Sequence, residues 1–136
     1  MDVRNGHIVL DFDDTTEESV YFVGVLPSNY SGNGITAVLT WAATSDDDSM
    51  HQAGWGVSAE RHPVGFDLDT DDFTPTGQAY IWLPTEPGEI KRTAMSLSDT
   101  SSFVAGESFR LRVQRMATDD SAEGDVELLV VELRES

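Results

Sequence analysis

Three aspartates in the middle of the chain have the spacing of metal ligands. Asp67, Asp69 and Asp71 occupy alternate positions, and carboxylates at such positions begin calcium-binding loops. An EF-hand loop that began at Asp67 would need glycine at its sixth position and glutamate at its twelfth. The chain has Asp72 and Gln78 there. The spacing therefore excludes an EF-hand and leaves an irregular calcium site or a solvated acidic loop, of which we favour the loop.

Two further acidic runs invite the same question. They lie at residues 11–14 (DFDD) and 46–48 (DDD). Adjacent like charges repel each other, and the simplest place for them is a solvated loop tip. We therefore expect both runs to be surface loops.

Residues suited to catalysis are present but form no recognisable motif. His7, His51 and His62 are scattered, and none is paired at i+2 or i+4 with another ligand suited to the same ion, so we expect each in a loop. No Gly-x-Ser-x-Gly elbow occurs, and an acid pair chosen from 25 carboxylates would be uninformative. The chain has no cysteine, which excludes thiolate chemistry. We expect no enzyme, no cofactor, and no catalytic, cofactor-binding or metal-binding residue.

The three tryptophans allow a structural and a functional interpretation. Trp41 shares the parity of Leu39, and Trp55 that of Val57, which predicts that both face the core. Trp82 is flanked by apolar residues near a proline, and we expect it in the core or at a subunit interface. The alternative is that exposed aromatic rings, such as those of Trp82 and Tyr80, stack against sugars.

Most of the basic residues are concentrated in one part of the chain. Five of the eight cations fall between residues 91 and 115, namely Lys91, Arg92, Arg110, Arg112 and Arg115. They could form a patch for an acidic partner or a subunit contact. We favour cross-strand ion pairs, with Arg110 and Arg112 facing Glu127 or Glu132 of the following strand.

The elements that would position these residues are strands, because the apolar residues recur with a period of two rather than 3.6. About eight strands are predicted, near residues 8–12, 20–26, 35–43, 53–60, 78–83, 90–97, 109–114 and 126–133. Turn signals every 8–12 residues are typical of an all-β sandwich or barrel. We expect one domain, residues 1–136, that forms an antiparallel β-sandwich of jelly-roll or Greek-key type. Residues 1–7 could form a flexible N-terminal arm.

Two of these strands carry specific expectations. Along residues 53–60, large apolar side chains alternate with Gly54, Gly56 and Ser58, and small residues on one face indicate close packing or a bulge. Residues 126–133 are almost continuously apolar, which is typical of a strand buried on both faces.

The composition limits the partners of the chain. It has 136 residues, 25 acidic against 8 basic, and a net charge of −17, so it should repel nucleic acid and anionic membranes. Residues 1–90 contain 16 acids and only two bases, Arg4 and Arg61. Neither a signal-peptide segment nor a transmembrane segment is apparent. One lysine and 15 aspartates also suggest adaptation to high salt.

Several phrases, taken in order, resemble a family of tailed-phage and prophage structural proteins. They are LDFDDTTEE (10–18), YF (21–22), LP (26–27), NYSG (29–32), LTWAA (39–43), AGESFRLRV (105–113), GDVELL (124–129) and VEL (131–133). They span residues 10 to 133, whereas residues 62–90 carry the least similarity. Each phrase is a strand with its turn, and none is a catalytic signature.

The resemblance implies a jelly-roll β-sandwich that serves as a virion component. We expect a capsid decoration (cement) protein that stabilises the outer surface of the head, made in the host cytoplasm and placed on the capsid or the tail. Its expected partners are further copies of itself, as a homotrimer, and the major capsid protein or other virion proteins. The alternative is a carbohydrate- or receptor-binding β-sandwich of a tail fibre or spike.

Overall fold

The computed structural model describes residues 1–45 and 50–136, and in this part of the chain every element is a β-strand. The strands are β1 (Asp2–Arg4), β2 (His7–Phe12), β3 (Ser19–Val25), β4 (Ile35–Ala43), β5 (Gln52–His62), β6 (Thr76–Trp82), β7 (Lys91–Ser96), β8 (Ser108–Arg115) and β9 (Val126–Glu135). They form two sheets with the orders β1-β2-β9-β4-β7 and β3-β8-β5-β6. All the pairings are antiparallel. The predicted all-β sandwich is confirmed. The described residues contain no helix that could cross a bilayer.

The core lies between the two sheets and is centred on two tryptophans. Trp41 on β4 and Trp55 on β5 are fully buried, and their ring centroids lie 5.9 Å apart in an edge-to-face arrangement. Phe12 packs edge-on against Trp55 at 5.3 Å. The Nε1–H group of Trp41 donates to Thr93 Oγ1 at 2.9 Å. The expectation that both tryptophans belong to the core is confirmed, and truncating either ring should cost about 3–5 kcal/mol.

The N-terminal residues add a ninth strand to the eight that were expected. Residues 1–7, where we expected an arm, contain β1, which pairs with β2 through Asp2↔Val9 and Arg4↔His7. The Arg4 guanidinium forms an ion pair with the buried Glu127 on β9. Three residues make a weak strand alone, so this ion pair helps to anchor β1.

The last strand is buried differently from the expectation. Only Val126, Glu127 and Leu128 are buried in succession, and from there on exposed and half-buried residues alternate, with Val130 exposed. The strands buried on both faces are β4 and β5. Each of these has a neighbouring strand on either side. β9 is paired with β4 over residues 126–135, but β2 pairs only with residues 126–128, so the rest of β9 has a strand on one side only.

One arginine is part of the interior rather than of a surface patch. Arg115, at the end of β8, is fully buried. It donates to the backbone oxygens of Phe12, Ala122 and Gly124 at 2.7–3.0 Å, and its Nε bonds Asp120 Oδ2 at 2.9 Å. It therefore joins β2, β8 and the loop before β9. Its burial excludes Arg115 from the basic surface patch that the sequence left open as an alternative.

Candidate functional site

The features that could make contact with a partner lie on the outer face of the four-stranded sheet. Two surfaces stand out there at opposite edges. The edge stripe consists of Tyr21, Val23 and Val25 on β3, and the aromatic platform consists of Tyr80 and Trp82 on β6. β8 and β5 lie between them.

The edge stripe is apolar and open to solvent. Val23 is 80% exposed, and Tyr21 and Val25 are also exposed. Within the described residues, β3 pairs only with β8. Leu26 faces β8, since its N–H donates to Glu107 O at 3.0 Å. Backbone groups alternate in direction along an antiparallel strand, so those of Tyr21, Val23 and Val25 point away from β8, to the side of β3 that has no partner strand. The stripe therefore combines apolar side chains with free backbone donors and acceptors.

Two arginines of β8 border the edge stripe. In the register of the sheet, Tyr21 lies opposite Arg112 and Val23 opposite Arg110. The Arg110 Cζ atom lies 5.2 Å from the centroid of the Tyr21 ring. The expected pairing with Glu127 or Glu132 was wrong, because these glutamates are on β9, which belongs to the other sheet.

The carboxylate of Glu60 is buried beneath this face. Its oxygens accept hydrogen bonds from the Asp72 N–H at 2.6 Å, from Arg110 Nε at 3.1 Å and from His62 Nε2 at 2.8 Å. Nε2 of His62 must be the donor, since an ionised carboxylate only accepts. Burial opposes ionisation of Glu60, but these hydrogen bonds and the Arg110 charge outweigh it, so the pKa of Glu60 is lowered.

Glu60 holds the loop of residues 63–75 against the sheet. Besides the Asp72 bond, Asp71 Oδ1 accepts from Arg110 at 3.0 Å, and the Phe73 ring lies 4.6 Å from Arg112 Cζ. His62 stacks on Phe66 at 4.9 Å. His62 is thus the last residue of β5, and its partner is the buried Glu60. Its expected position in a loop was wrong. His7 likewise begins β2, whereas His51 precedes β5.

Two of the three aspartates with calcium-like spacing have other partners. Asp67 Oδ1 accepts from the Asp69 N–H at 2.9 Å in a local turn, and Asp71 pairs with Arg110. Most of the loop around them is exposed, as expected of a solvated acidic loop.

Among the described residues, a cluster of three carboxylates forms elsewhere, on β1, β2 and β9 of the five-stranded sheet. One oxygen each from Asp2, Asp11 and Glu127 lies within 4.8 Å of the others. Burial, followed by the charges of Asp2 and Glu127, raises the pKa of Asp11. Arg4 already neutralises Glu127, so the cluster has a counterion of its own.

The acidic run at residues 11–14 lies partly in a strand and partly in a turn. Asp11 and Phe12 are in β2, and Phe12 is buried, so residues 11–14 are only partly a loop. Asp13 Oδ1 accepts from the Thr15 N–H at 2.6 Å, and Asp14 Oδ2 from the Gly124 N–H at 2.7 Å. Residues 46–48 lie outside the described residues.

The aromatic platform is partly exposed, and its Tyr80 ring lies over Gly54 of β5. Trp82 is 48% exposed and Tyr80 40% exposed, so the expectation of Trp82 in the core was wrong, while a place at a subunit interface stays a prediction. A Cβ atom on Gly54 would lie 2.6 Å from Tyr80 Cε1. The absence of a side chain at Gly54 therefore lets the Tyr80 ring rest on the backbone of β5, which confirms the close packing expected there.

A shallow polar depression of about 60 Å³ adjoins the platform. Its lining includes Gly56, Ser58, Gly77, Gln78, Arg112, Gln114 and Met116. Arg112 Nε donates to Ser58 Oγ at 3.0 Å, and Gln78 is exposed. The platform and the depression form one continuous outer surface, because Gly54↔Tyr80 and Gly56↔Gln78 are successive pairs on this face.

An apolar cleft of about 350 Å³ lies at the far end of β3. Its lining includes Val25, Leu26, Tyr30, Phe109 and Leu133. Val25 also belongs to the edge stripe, so the cleft and the stripe are contiguous. The sequence pattern did not single out this cleft, because its walls come from both sheets.

Sequence reasoning also missed the two buried polar clusters, around Glu60 and around Arg115. The only available signal for the first was a charged residue on the small-residue face of β5.

Comparisons with protein-family models, with curated proteins and with solved structures found no match to this chain.

Proposed function

We propose that this chain is a structural protein of a tailed-phage virion, and specifically a capsid decoration protein on the outside of the head. The edge stripe is the observation that carries the proposal. Residues 19–27 contain no charged side chain, although the chain as a whole has a net charge of −17. A surface with this composition suits contact with another protein subunit.

The physical chemistry of edge strands supports a covered β3. Exposed edges normally carry lysine, proline or a bulge, because free backbone groups invite pairing with another strand. β3 has neither lysine nor proline, and its register with β8 is continuous from Ser19 to Val25. The adjoining apolar cleft would accept a side chain from the neighbouring subunit. Arg110 and Arg112 border the stripe, and arginine is enriched at interfaces between proteins.

The charge distribution supports a place outside the shell. A chain with this excess of acid would be repelled by packaged DNA, whereas an outer surface gains solubility from it. The strand order β2-β9-β4-β7 over β3-β8-β5-β6 supports the jelly-roll class implied by the resemblance. A homotrimer of this chain that binds the major capsid protein or other virion proteins stays a prediction.

The proposal is tested by copurification with heads. The chain would be coexpressed with the major capsid protein of the same genome, and the assembled heads purified on a density gradient. In the purified heads we expect a fixed ratio of this chain to capsid protein that matches the shell lattice. For the free protein we expect a sedimentation-equilibrium mass near three times 14.9 kDa. Heads free of the chain at saturating expression would overturn the proposal.

The aromatic platform favours a second candidate function, the binding of a carbohydrate or receptor by a tail fibre or spike. Tyr80 and Trp82 are large apolar rings that the fold leaves half exposed side by side. Exposed aromatic rings beside polar groups are typical of ligand sites.

A further inference from the structure

We propose that the aromatic platform and the polar depression together bind a neutral oligosaccharide. The inference rests on the second candidate function and specifies its ligand. It is independent of the capsid proposal, because a decorating protein could present the same surface.

The aromatic part of the site follows from the strand geometry of β6. Tyr80 and Trp82 are two residues apart and point to the same face, so their Cα atoms lie about 7 Å apart. Aromatic faces carry negative charge density and attract groups with weakly positive hydrogens. The C–H groups on one face of a sugar ring are such groups. Two adjacent rings can therefore stack against successive sugars.

The backbone beneath the platform is held rigidly. The Gly54 N–H donates to Asp120 Oδ2 at 2.9 Å, and Gly54 O accepts from the Met116 N–H at 2.8 Å. Asp120 is itself fixed by the buried Arg115. Since the Tyr80 ring rests on Gly54, the platform is largely formed before any ligand arrives, which lowers the entropic cost of binding.

The polar part of the site provides hydrogen bonds for hydroxyl groups. Gln78 and Gln114 each carry two N–H donors and one carbonyl acceptor, and Arg112 carries only donors. Gln52 lies opposite Trp82 and adds a third amide at the other end of the platform. Sugar hydroxyls both donate and accept, so they match this mixture of groups.

The surrounding charge selects against anionic ligands. Burial, followed by the charges of Asp119, Asp120 and Glu17, raises the pKa of the Tyr80 hydroxyl. Asp120 is paired with Arg115, but Asp119 and Glu17 add to the net charge of −17, and this negative potential would repel sialic acids, uronates and sulfated sugars. Arg112, the only cation that lines the depression among the described residues, is already engaged, since its Nε donates to Ser58 Oγ and its Cζ lies 4.6 Å from the centroid of the Phe73 ring. The site should therefore prefer neutral sugars.

The experiment uses the full chain on a glycan array that carries neutral hexose oligomers, N-acetylhexosamine oligomers, and sialylated and uronate-containing glycans. Solution titrations follow with maltotetraose, cellotetraose and chitotetraose. Trp82 is the one exposed tryptophan of the three, so a change in tryptophan emission reports directly on the platform. We expect binding of a neutral class, a shift in emission, and protection of Trp82 from quenching by acrylamide.

Four variants separate the site from the fold. Trp82→Ala and Tyr80→Ala should each weaken binding at least tenfold. Gly54→Ala should weaken it several-fold, because the added Cβ displaces the Tyr80 ring. The control is Val64→Ala, which removes an exposed apolar side chain from the loop after β5. Val64 lies outside both the platform and the edge stripe, so this variant should leave sugar affinity unchanged.

Three results would overturn the inference. The first is that the chain binds no neutral glycan. The second is that it prefers anionic glycans, and the third is that its affinity for a neutral glycan survives both Trp82→Ala and Tyr80→Ala. Dissociation of an oligomer by Trp82→Ala without loss of a sugar signal would assign the platform to a subunit contact instead. None of these results affects copurification with heads, so failure of this inference is distinguishable from failure of the capsid proposal.

Discussion

Arg115 and Asp120 form an ion pair that is shut off from solvent on both sides, with Nε and Oδ2 2.9 Å apart and side-chain exposures of 0% and 1%. The guanidinium also donates to three backbone oxygens, one in β2 and two in the loop before β9. Because removal of one partner leaves a buried charge unpaired, we predict that Arg115→Met destabilises the fold by about 3–5 kcal/mol. Urea unfolding followed by circular dichroism measures this loss.

The control for that variant is an exposed ion pair. Arg134 lies 3.7 Å from Glu132, with more than half of each side chain exposed. Arg134→Met should change the free energy of unfolding by less than about 1 kcal/mol. Equal losses in the two variants would contradict the role assigned to Arg115.

Glu60 should make the protein sensitive to acid. Its pKa is lowered in the folded protein by the Asp72 N–H, His62 and Arg110, with Asp71 as a further charge on Arg110. A carboxyl group with a lowered pKa stabilises the fold at every pH above its ordinary pKa and loses this contribution as the pH falls through the lowered value. The melting temperature should therefore fall as the pH drops below about 4.5, the ordinary pKa of a glutamate.

Glu60→Gln isolates this contribution. The variant should be less stable at pH 7, because Arg110 loses its buried partner, and its melting temperature should vary less with pH below about 4.5. Glu107→Gln is the comparison, since the pKa of Glu107 is also lowered, by its hydrogen bond to Arg61, but that pair is more exposed. A pH profile of Glu60→Gln parallel to that of the unaltered protein would refute the assignment.

The edge stripe predicts self-association that one charge can abolish. Val23→Lys places a charge on the outer face of β3, where Val23 is 80% exposed. Stability of the subunit should change by less than about 0.5 kcal/mol, while the sedimentation-equilibrium mass should drop to that of one chain. Val64→Lys, at an even more exposed valine in the loop after β5, should keep the oligomer. An oligomer that withstands Val23→Lys would move the interface elsewhere.

Salt should stabilise this protein. At a net charge of −17 the surface carboxylates repel one another, and screening shortens the range of that repulsion from about 10 Å at 0.1 M salt to about 3 Å at 1 M. We expect the melting temperature to rise with potassium chloride and most of the gain to occur below about 0.5 M, where screening changes fastest. A flat melting profile from low to molar salt would count against both the repulsion and the suggested adaptation to high salt.

The strand pattern was predictable because alternation is a local property. Phe109, Leu111 and Val113 face the core and their neighbours do not, as period two requires. Trp41 and Trp55 were placed correctly for the same reason. Trp82 was not, because β6 lies at an edge of its sheet, where flanking apolar residues do not imply burial.

The sequence by itself determined the all-β class, the faces of the central strands, the tryptophan core and the acidic surface, since each depends on residue type and on spacing within one segment. Only the tertiary structure decided which strands are neighbours. Arg115 reaches Phe12 O across 103 residues, and Arg110 meets Glu60 rather than a residue of β9. These contacts depend on how distant strands pair and stack, and no local period encodes that arrangement.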